Sequence, residues 1–363
     1  MATWKLIKLK FERCPAHFGE LGIGMESTTE RVHSDTLFSA WMSSYARLYP
    51  NEIDALLNGF CDESPPAMRI SSTFIYRETD KGTIYYLPRP LRFPVNYPQG
   101  NDLEFFKTYK KLNYLPLKVL QRWYQGVGFT LADREELIAK TNGAKGGNLD
   151  TEGTFDYKQA FKIEKVPKIA VDRNTRATNL YHTAFLYFEW NQNGNSIQSL
   201  SGLYFLLHFP QDDVELATRL EDALELLGEE GLGGERSSGA GRFKVEWEDI
   251  PSDWQSVVKY PDTSTSHYLI SLFWEDDVSQ LQQLITDKSS YEIQERGGWI
   301  IQSNIRRQMV RMFTEGSVFP VEPHGKLVNV TPSELRTNNG GYKTHPIYRS
   351  GISLSLKIKA ENS

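Results

Sequence analysis

The sequence predicts an α+β protein built from βαββαβ, ferredoxin-like units, and three observations support this. Period-two strand patterns and 3.6-residue helix patterns interleave in both halves of the chain. Helices are fewer than a doubly wound α/β sheet needs, which favours helices on one face of antiparallel sheets. At 363 residues the chain is long enough for two domains of ordinary size.

The elements follow in order. Ile7-Lys8-Leu9-Lys10-Phe11 alternates apolar and basic residues, predicting a strand with one solvated face. Leu37, Phe38, Trp41, Met42, Tyr45, Leu48 and Tyr49 recur at helical spacing, with Ser34 or Asp35 expected as the cap and Pro50 as the stop. Ile84–Leu87 reads as a strand, and the Pro88–Pro98 stretch as a surface segment. Thr141–Gly153 has almost nothing to bury, so it is expected to be a mobile connection, dividing the chain into domains 1–150 and 151–363. Strand patterns return at Ala184–Trp190 and Leu203–Phe209. Leu216, Leu220, Ala223 and Leu227 then mark an amphipathic helix. Phe243–Trp247, Tyr268–Trp274 and Ile352–Ile358 read as further strands, and Val278, Leu281, Leu284 and Ile285 as a short helix.

Composition narrows the function. An apolar content of 39% with 12% aromatics excludes general disorder. No window reaches the roughly 18 apolar residues of a membrane span, and the N-terminus lacks the order of a signal peptide, so a cytoplasmic protein is expected. Two cysteines, Cys14 and Cys61, form neither a disulfide framework nor a zinc finger. The net charge of −5 runs against nucleic-acid binding at first sight. However, Asp212–Glu230 holds eight acidic residues and only Arg219 as a base, which leaves 40 basic and 38 acidic residues elsewhere.

Gly228–Phe243 is the most informative stretch. It contains Gly231, Gly233, Gly234, Arg236, Ser237, Ser238, Gly239, Gly241 and Arg242. It lacks the lysine and hydroxyl of a P-loop and the third glycine of a dinucleotide fingerprint. It also runs from helix to strand, so nucleotide cofactors are not expected. Glycines at this density permit close approach to a polyanion through backbone N–H nests, with the arginines pairing phosphates and the serines bonding phosphate or a ribose 2′-OH. Two further candidates are the Ser34–Leu37 helix start, for a phosphate, and the basic residues Arg296, Arg306, Arg307 and Arg311. There is no His-Asp dipeptide, GGDD, GxSxG, HExxH or EF-hand pattern, and the seven histidines are too scattered to suggest a metal cluster.

LGEEGLGGERSSGAGRF resembles the glycine-rich signature of the RAMP superfamily, repeat-associated CRISPR proteins that bind RNA. Within it, the chain is similar to the subunit of type III-A (Csm) effector complexes that holds the 5′ repeat-derived tag of the CRISPR RNA. Collinear segments extend the resemblance over most of the chain: His33–Ala40, Leu87–Pro90, Asp172–Thr175, Glu295–Trp299, Glu315–Phe319 and His345–Gly351. The resemblance implies two ferredoxin-like domains, a non-catalytic role and no cofactor. It implies contacts to the CRISPR RNA tag, to the large polymerase-like subunit and to the filament-forming RAMP subunit, with target RNA met only indirectly. Asp172–Thr175 would sit at the base of a thumb-like hairpin that displaces a guide nucleotide. His33, Ser34, Arg173, Asn174 and Arg296 join the glycine segment as expected RNA-contacting residues. The rival within the superfamily is a CRISPR RNA-processing endoribonuclease, which would use His33 or His17 as general base.

Overall fold

A computed structural model describes residues 2–360 apart from 20–23, 61–64, 99–103, 194–195, 262–264, 301–304, 338–340 and 344; Cys61 and Gly22 lie outside the described residues. The fold is α+β with antiparallel sheets. The main sheet runs Lys244–Asp249, Thr3–Lys10, Ser196–Phe209, Phe74–Thr79, Gly82–Pro88, Tyr114–Pro116. Its first four strands, with helix Ser34–Leu48 after the first and helix Val214–Glu230 before the last, follow the order of a βαββαβ unit. The sheet therefore draws strands from both sides of residue 150, and Lys244–Asp249 is the last of its strands in the chain.

Both faces of this sheet are covered. Ile7, Leu9, Leu203, Phe205 and Leu207 pack on one face with Trp41 and Tyr45 of the first helix and Leu220, Leu224 and Leu227 of the second. The Trp41 indole N–H donates to the Leu220 carbonyl at 2.8 Å, joining the two helices. Leu6, Phe74, Tyr204 and Leu206 pack on the other face with Trp123, Trp254 and a second sheet carrying Tyr268, Leu356 and Ile358. This corrects the expectation of a solvated face. Lys8 is 6% exposed and donates to Glu78 at 3.0 Å and Glu248 at 3.1 Å. Burial opposes its charge, but Tyr85 and the paired carboxylates outweigh it, so its pKa is raised.

Gly202 occupies the middle of the longest strand because Tyr76, directly opposite, lays its ring over it. A Cβ there would stand 2.6 Å from the Leu9 carbonyl oxygen and 2.9 Å from the Tyr76 ring.

The second sheet is smaller, in the order Val318–Phe319, Thr265–Leu269, Ser355–Lys359. Two other expectations change. Pro88, Pro90, Arg92 and Pro94 are buried, so this stretch is threaded into the structure, with Arg92 donating to Ser266 at 3.0 Å. The 141–153 segment is organised locally. Glu136 accepts the N–H groups of Leu149 (3.0 Å) and Asp150 (2.7 Å), and Leu149 is buried.

A buried ionic cluster joins the start of the first helix to the C-terminal part of the chain. Asp35 is 0% exposed and accepts from Arg296 at 3.0 Å and from Arg349. Beside it, Glu315 accepts from Arg31 at 3.1 Å, from His33 Nδ1 at 2.8 Å and from the Ser72 hydroxyl. Burial alone would raise both carboxyls; the arginines reverse this and hold them below the usual carboxylate range.

Two outcomes follow. Gly202→Val forces a side chain into the Tyr76 ring, and urea unfolding should show a loss of roughly 2–3 kcal/mol. Asp35→Asn leaves Arg296 and Arg349 buried without a full counter-charge and should cost roughly 3–5 kcal/mol. In the wild type, the contribution of Asp35 and Glu315 is complete above their ordinary values of 3.8 and 4.5 and is lost as the pH falls below them. The acid side of the stability–pH curve should accordingly be shallower in Asp35→Asn.

Candidate nucleic-acid interface

The acidic helix ends where its pattern predicts, and Gly231 leaves it with φ +92. The chain then makes a compact loop: Leu232 N–H donates to Gly241 O at 2.9 Å, and Arg236–Ser238 form one 3₁₀ turn. The loop lies against residues 15–17. Gly234 N–H donates to His17 O at 2.8 Å, and Gly241 N–H to Pro15 O at 2.7 Å.

This packing corrects the reading of the glycines as an anion nest. The N–H groups of Gly231, Leu232, Gly234, Ser238, Gly239 and Gly241 are all bonded within the protein. Gly233 (φ +96) and Gly241 (φ +80) are required by close approach, since a Cβ would run into the carbonyls of His17 and Leu232 respectively. Gly231 and Gly241 are buried, while Gly233, Arg236, Ser237, Ser238 and Arg242 are exposed. Most of the loop's glycine amides are thus turned inward, while the side chains of Arg236, Ser237 and Ser238 are exposed.

It forms one wall of a cleft of about 530 Å³. His17, His33 and the outer face of the first helix form another wall, and Arg296, Trp299 and Arg307 close it. Among the described residues, five arginines (Arg31, Arg47, Arg236, Arg296, Arg307) line it against one carboxylate, Glu230. Ion pairs neutralise three of them: Arg31 with Glu315, Arg47 with Glu230, and Arg296 with Asp35. Among the described residues, Arg236 and Arg307 have no carboxylate within ion-pair distance, and Arg307 Nε is buried without a hydrogen-bond partner. Burial and the neighbouring Arg349 lower the Arg307 pKa, so its charge is poorly compensated where it stands.

The other sequence-predicted residues separate. Ser34 is 1% exposed, its hydroxyl accepting Leu272 N–H at 3.0 Å and its N–H held by Ser72 at 2.8 Å. The helix start is therefore plugged and carries Asp35, which corrects the phosphate reading there. It also lacks the expected cap: His33 is the N-cap and makes no side-chain cap bond. His17 Nδ1 bonds the Ala184 carbonyl at 2.8 Å. Arg242 faces a separate recess with Lys10 and Lys244.

Arg173 and Asn174 lie at the tip of the long Phe161–Val171/Thr178–Phe188 hairpin, not at its base. Asp172 Oδ1 accepts Asn174 N–H at 2.7 Å and Thr175 N–H at 3.1 Å, which closes the turn. The hairpin touches the glycine loop through Lys168, which pairs with Glu235; its strand runs on roughly 10 Å to Val171 at about 3.3 Å per residue, and the tip lies beyond that. The basic run also divides. Arg296 and Arg307 face the cleft, Arg306 stacks on Trp299, and Arg311 pairs with Glu295 across the Ile293–Arg296/Val310–Phe313 hairpin. Sequence reasoning missed Trp299, Arg47 and Arg31 as cleft residues; the Glu295–Trp299 segment was the only signal, and it did not single out the indole.

Residues 262–358 match the family described as the CRISPR Csm4 C-terminal domain. The chain is 26% identical to the CRISPR system Cms protein Csm4 of Methanocaldococcus jannaschii, covering 87% of this chain and 85% of that protein. It is 25% identical to the protein of the same name from Mycobacterium tuberculosis, covering 98% and 97%. Its fold is similar to a chain in the crystal structure of the Csm3–Csm4 subcomplex in the type III-A CRISPR-Cas interference complex, with a TM-score of 0.59, 20% identity and coverage of 97% and 98%. A C-terminal segment matched to the Csm4 C-terminal domain, similarity to Csm4 proteins along nearly the whole length and an α+β fold like that of the Csm3–Csm4 subcomplex chain together make this chain similar to Csm4 proteins.

Proposed function

We propose that this chain is a non-catalytic RNA-binding subunit of a type III CRISPR ribonucleoprotein and that its cleft holds the single-stranded 5′ tag of the CRISPR RNA. The observation that carries the reading is the charge of the cleft: in a chain of net charge −5, among the described residues five lining arginines meet one carboxylate, and Arg236 and Arg307 have no carboxylate within ion-pair distance. The carboxylates of the acidic helix are turned elsewhere or paired, Glu230 with Arg47 and Asp222 with the Tyr49 hydroxyl at 2.6 Å. The cleft is thus free of the repulsion that the sequence alone suggests. Its breadth suits an extended strand, and its open rim suits the splayed bases of single-stranded RNA.

The similarity to Csm4 proteins supports partners of the same kind, a large polymerase-like subunit and a filament-forming RAMP subunit, with target RNA approached through the hairpin tip at Arg173 and Asn174. The C-terminal part, with its three-stranded sheet and the short helix Val278–Leu284, is proposed as a reduced second ferredoxin-like unit.

His33 is spoken for by Glu315 and Arg31, and His17 by the Ala184 carbonyl, which is the environment of structural histidines. A general base needs an acceptor nitrogen directed at the ribose 2′-OH.

Arg236→Ala should weaken binding of a single-stranded repeat RNA about tenfold, and the slope of log K against log salt should drop by roughly 0.7 for the single phosphate no longer neutralised. Unchanged affinity and slope would count against the cleft. Purified protein incubated with labelled repeat RNA should leave it intact; cleavage that disappears in His17→Ala or His33→Ala would instead establish the endoribonuclease.

A further inference from the structure

We propose that Trp299 is a stacking platform for a single unpaired base at the rim of the cleft, with Arg306 as the cation beneath it. The inference rests on the RNA reading of the cleft and adds a position-specific interaction to it. Among the described residues Trp299 is the one tryptophan with an exposed side chain, at 41%, whereas Trp41, Trp123 and Trp254 are fully buried. It lines the cleft, so the indole stands beside Arg307 and Arg296 instead of being scattered on a neutral surface.

Its position is built. Trp299 and Arg306 face each other across an antiparallel bridge, flanked by Arg307 N–H to Gly298 O at 2.9 Å and Ile300 N–H to Ile305 O at 3.0 Å. The Arg306 guanidinium lies 4.5 Å from the indole centroid. Gly298 makes the approach with φ +128, a region closed to other residues, and the Gly297 carbonyl accepts from Arg349 of the buried ionic cluster. The segment Arg296-Gly297-Gly298-Trp299 therefore runs from a buried anchor to an exposed ring in three residues.

An indole with a cation against it and a surface open to solvent is matched by the π-face of a nucleobase, whose stacking is tolerant of base identity. The ring neutralises no phosphate. Its contribution to binding is consequently insensitive to salt, unlike that of Arg236.

The test uses the full chain and a short fluorescent single-stranded RNA, together with a set of the same RNA in which each base in turn is replaced by an abasic site. Trp299→Ala should weaken binding roughly ten- to a hundredfold with the salt slope unchanged, and Trp299→Phe should recover most of the affinity. One abasic position should weaken the wild type and leave Trp299→Ala unaffected. Wild-type affinity in Trp299→Ala overturns the inference. So does an abasic profile identical in the two proteins, which would assign the ring to the fold or to a protein partner. If the wild type binds none of these RNAs, the RNA reading of the cleft falls with it, whereas an intact wild-type affinity with an indifferent Trp299 removes only the platform.

Discussion

Asp35 and Glu315 hold the two parts of this protein together. Each is a fully buried carboxylate, and each is neutralised by arginine from a distant part of the sequence: Asp35 by Arg296 and Arg349, Glu315 by Arg31. Removing such charges from water is costly, and only the completeness of the pairing offsets it. The arrangement is directional. A hydrophobic joint between the first helix and the C-terminal part would tolerate sliding, whereas paired guanidinium and carboxylate groups define one register. The cleft depends on that register, since Arg296 and Trp299 belong to one part and the glycine loop to the other.

Phe74–Thr79 and Tyr114–Pro116 of the main sheet were not legible in the sequence, whereas Thr3–Lys10, Gly82–Pro88, Ser196–Phe209 and Lys244–Asp249 were, because amphipathic periodicity reports burial on one side. It cannot report a second covering layer. Lys8 alternates as a solvated residue does, yet is buried, and only its partners Glu78 and Glu248, 70 and 240 residues away, make that tolerable. Strand pairing across residue 150 was hidden for a related reason. A glycine-rich, polar stretch looks like a linker, but what defines a unit is strand pairing, and Ser196–Phe209 pairs with Thr3–Lys10 across that stretch.

The glycine segment is legible as a candidate site but not in its mechanism. Its density points to backbone amides, but those amides bond the loop to itself and to residues 15–17. Glycine is needed there for close packing as much as for a ligand. Arg236 faces outward, as the pattern around it suggests. Arg307, the other cleft arginine without an ion pair among the described residues, shows in the sequence only as part of a charge run, because sequence proximity does not distinguish it from Arg311, which pairs with Glu295.

The pairing of the first strand has a consequence for biosynthesis. Thr3–Lys10 sits between Ser196–Phe209 and Lys244–Asp249, so neither neighbour exists until nearly two hundred more residues have been translated. At about 5–20 residues per second that interval is on the order of ten to forty seconds. Throughout it Ile7, Leu9 and Phe11 have no sheet to join, and the nascent chain carries an unpaired apolar strand. A chain with this topology is exposed to misassociation before its last strand appears, and holding that first segment is a natural task for a ribosome-associated chaperone.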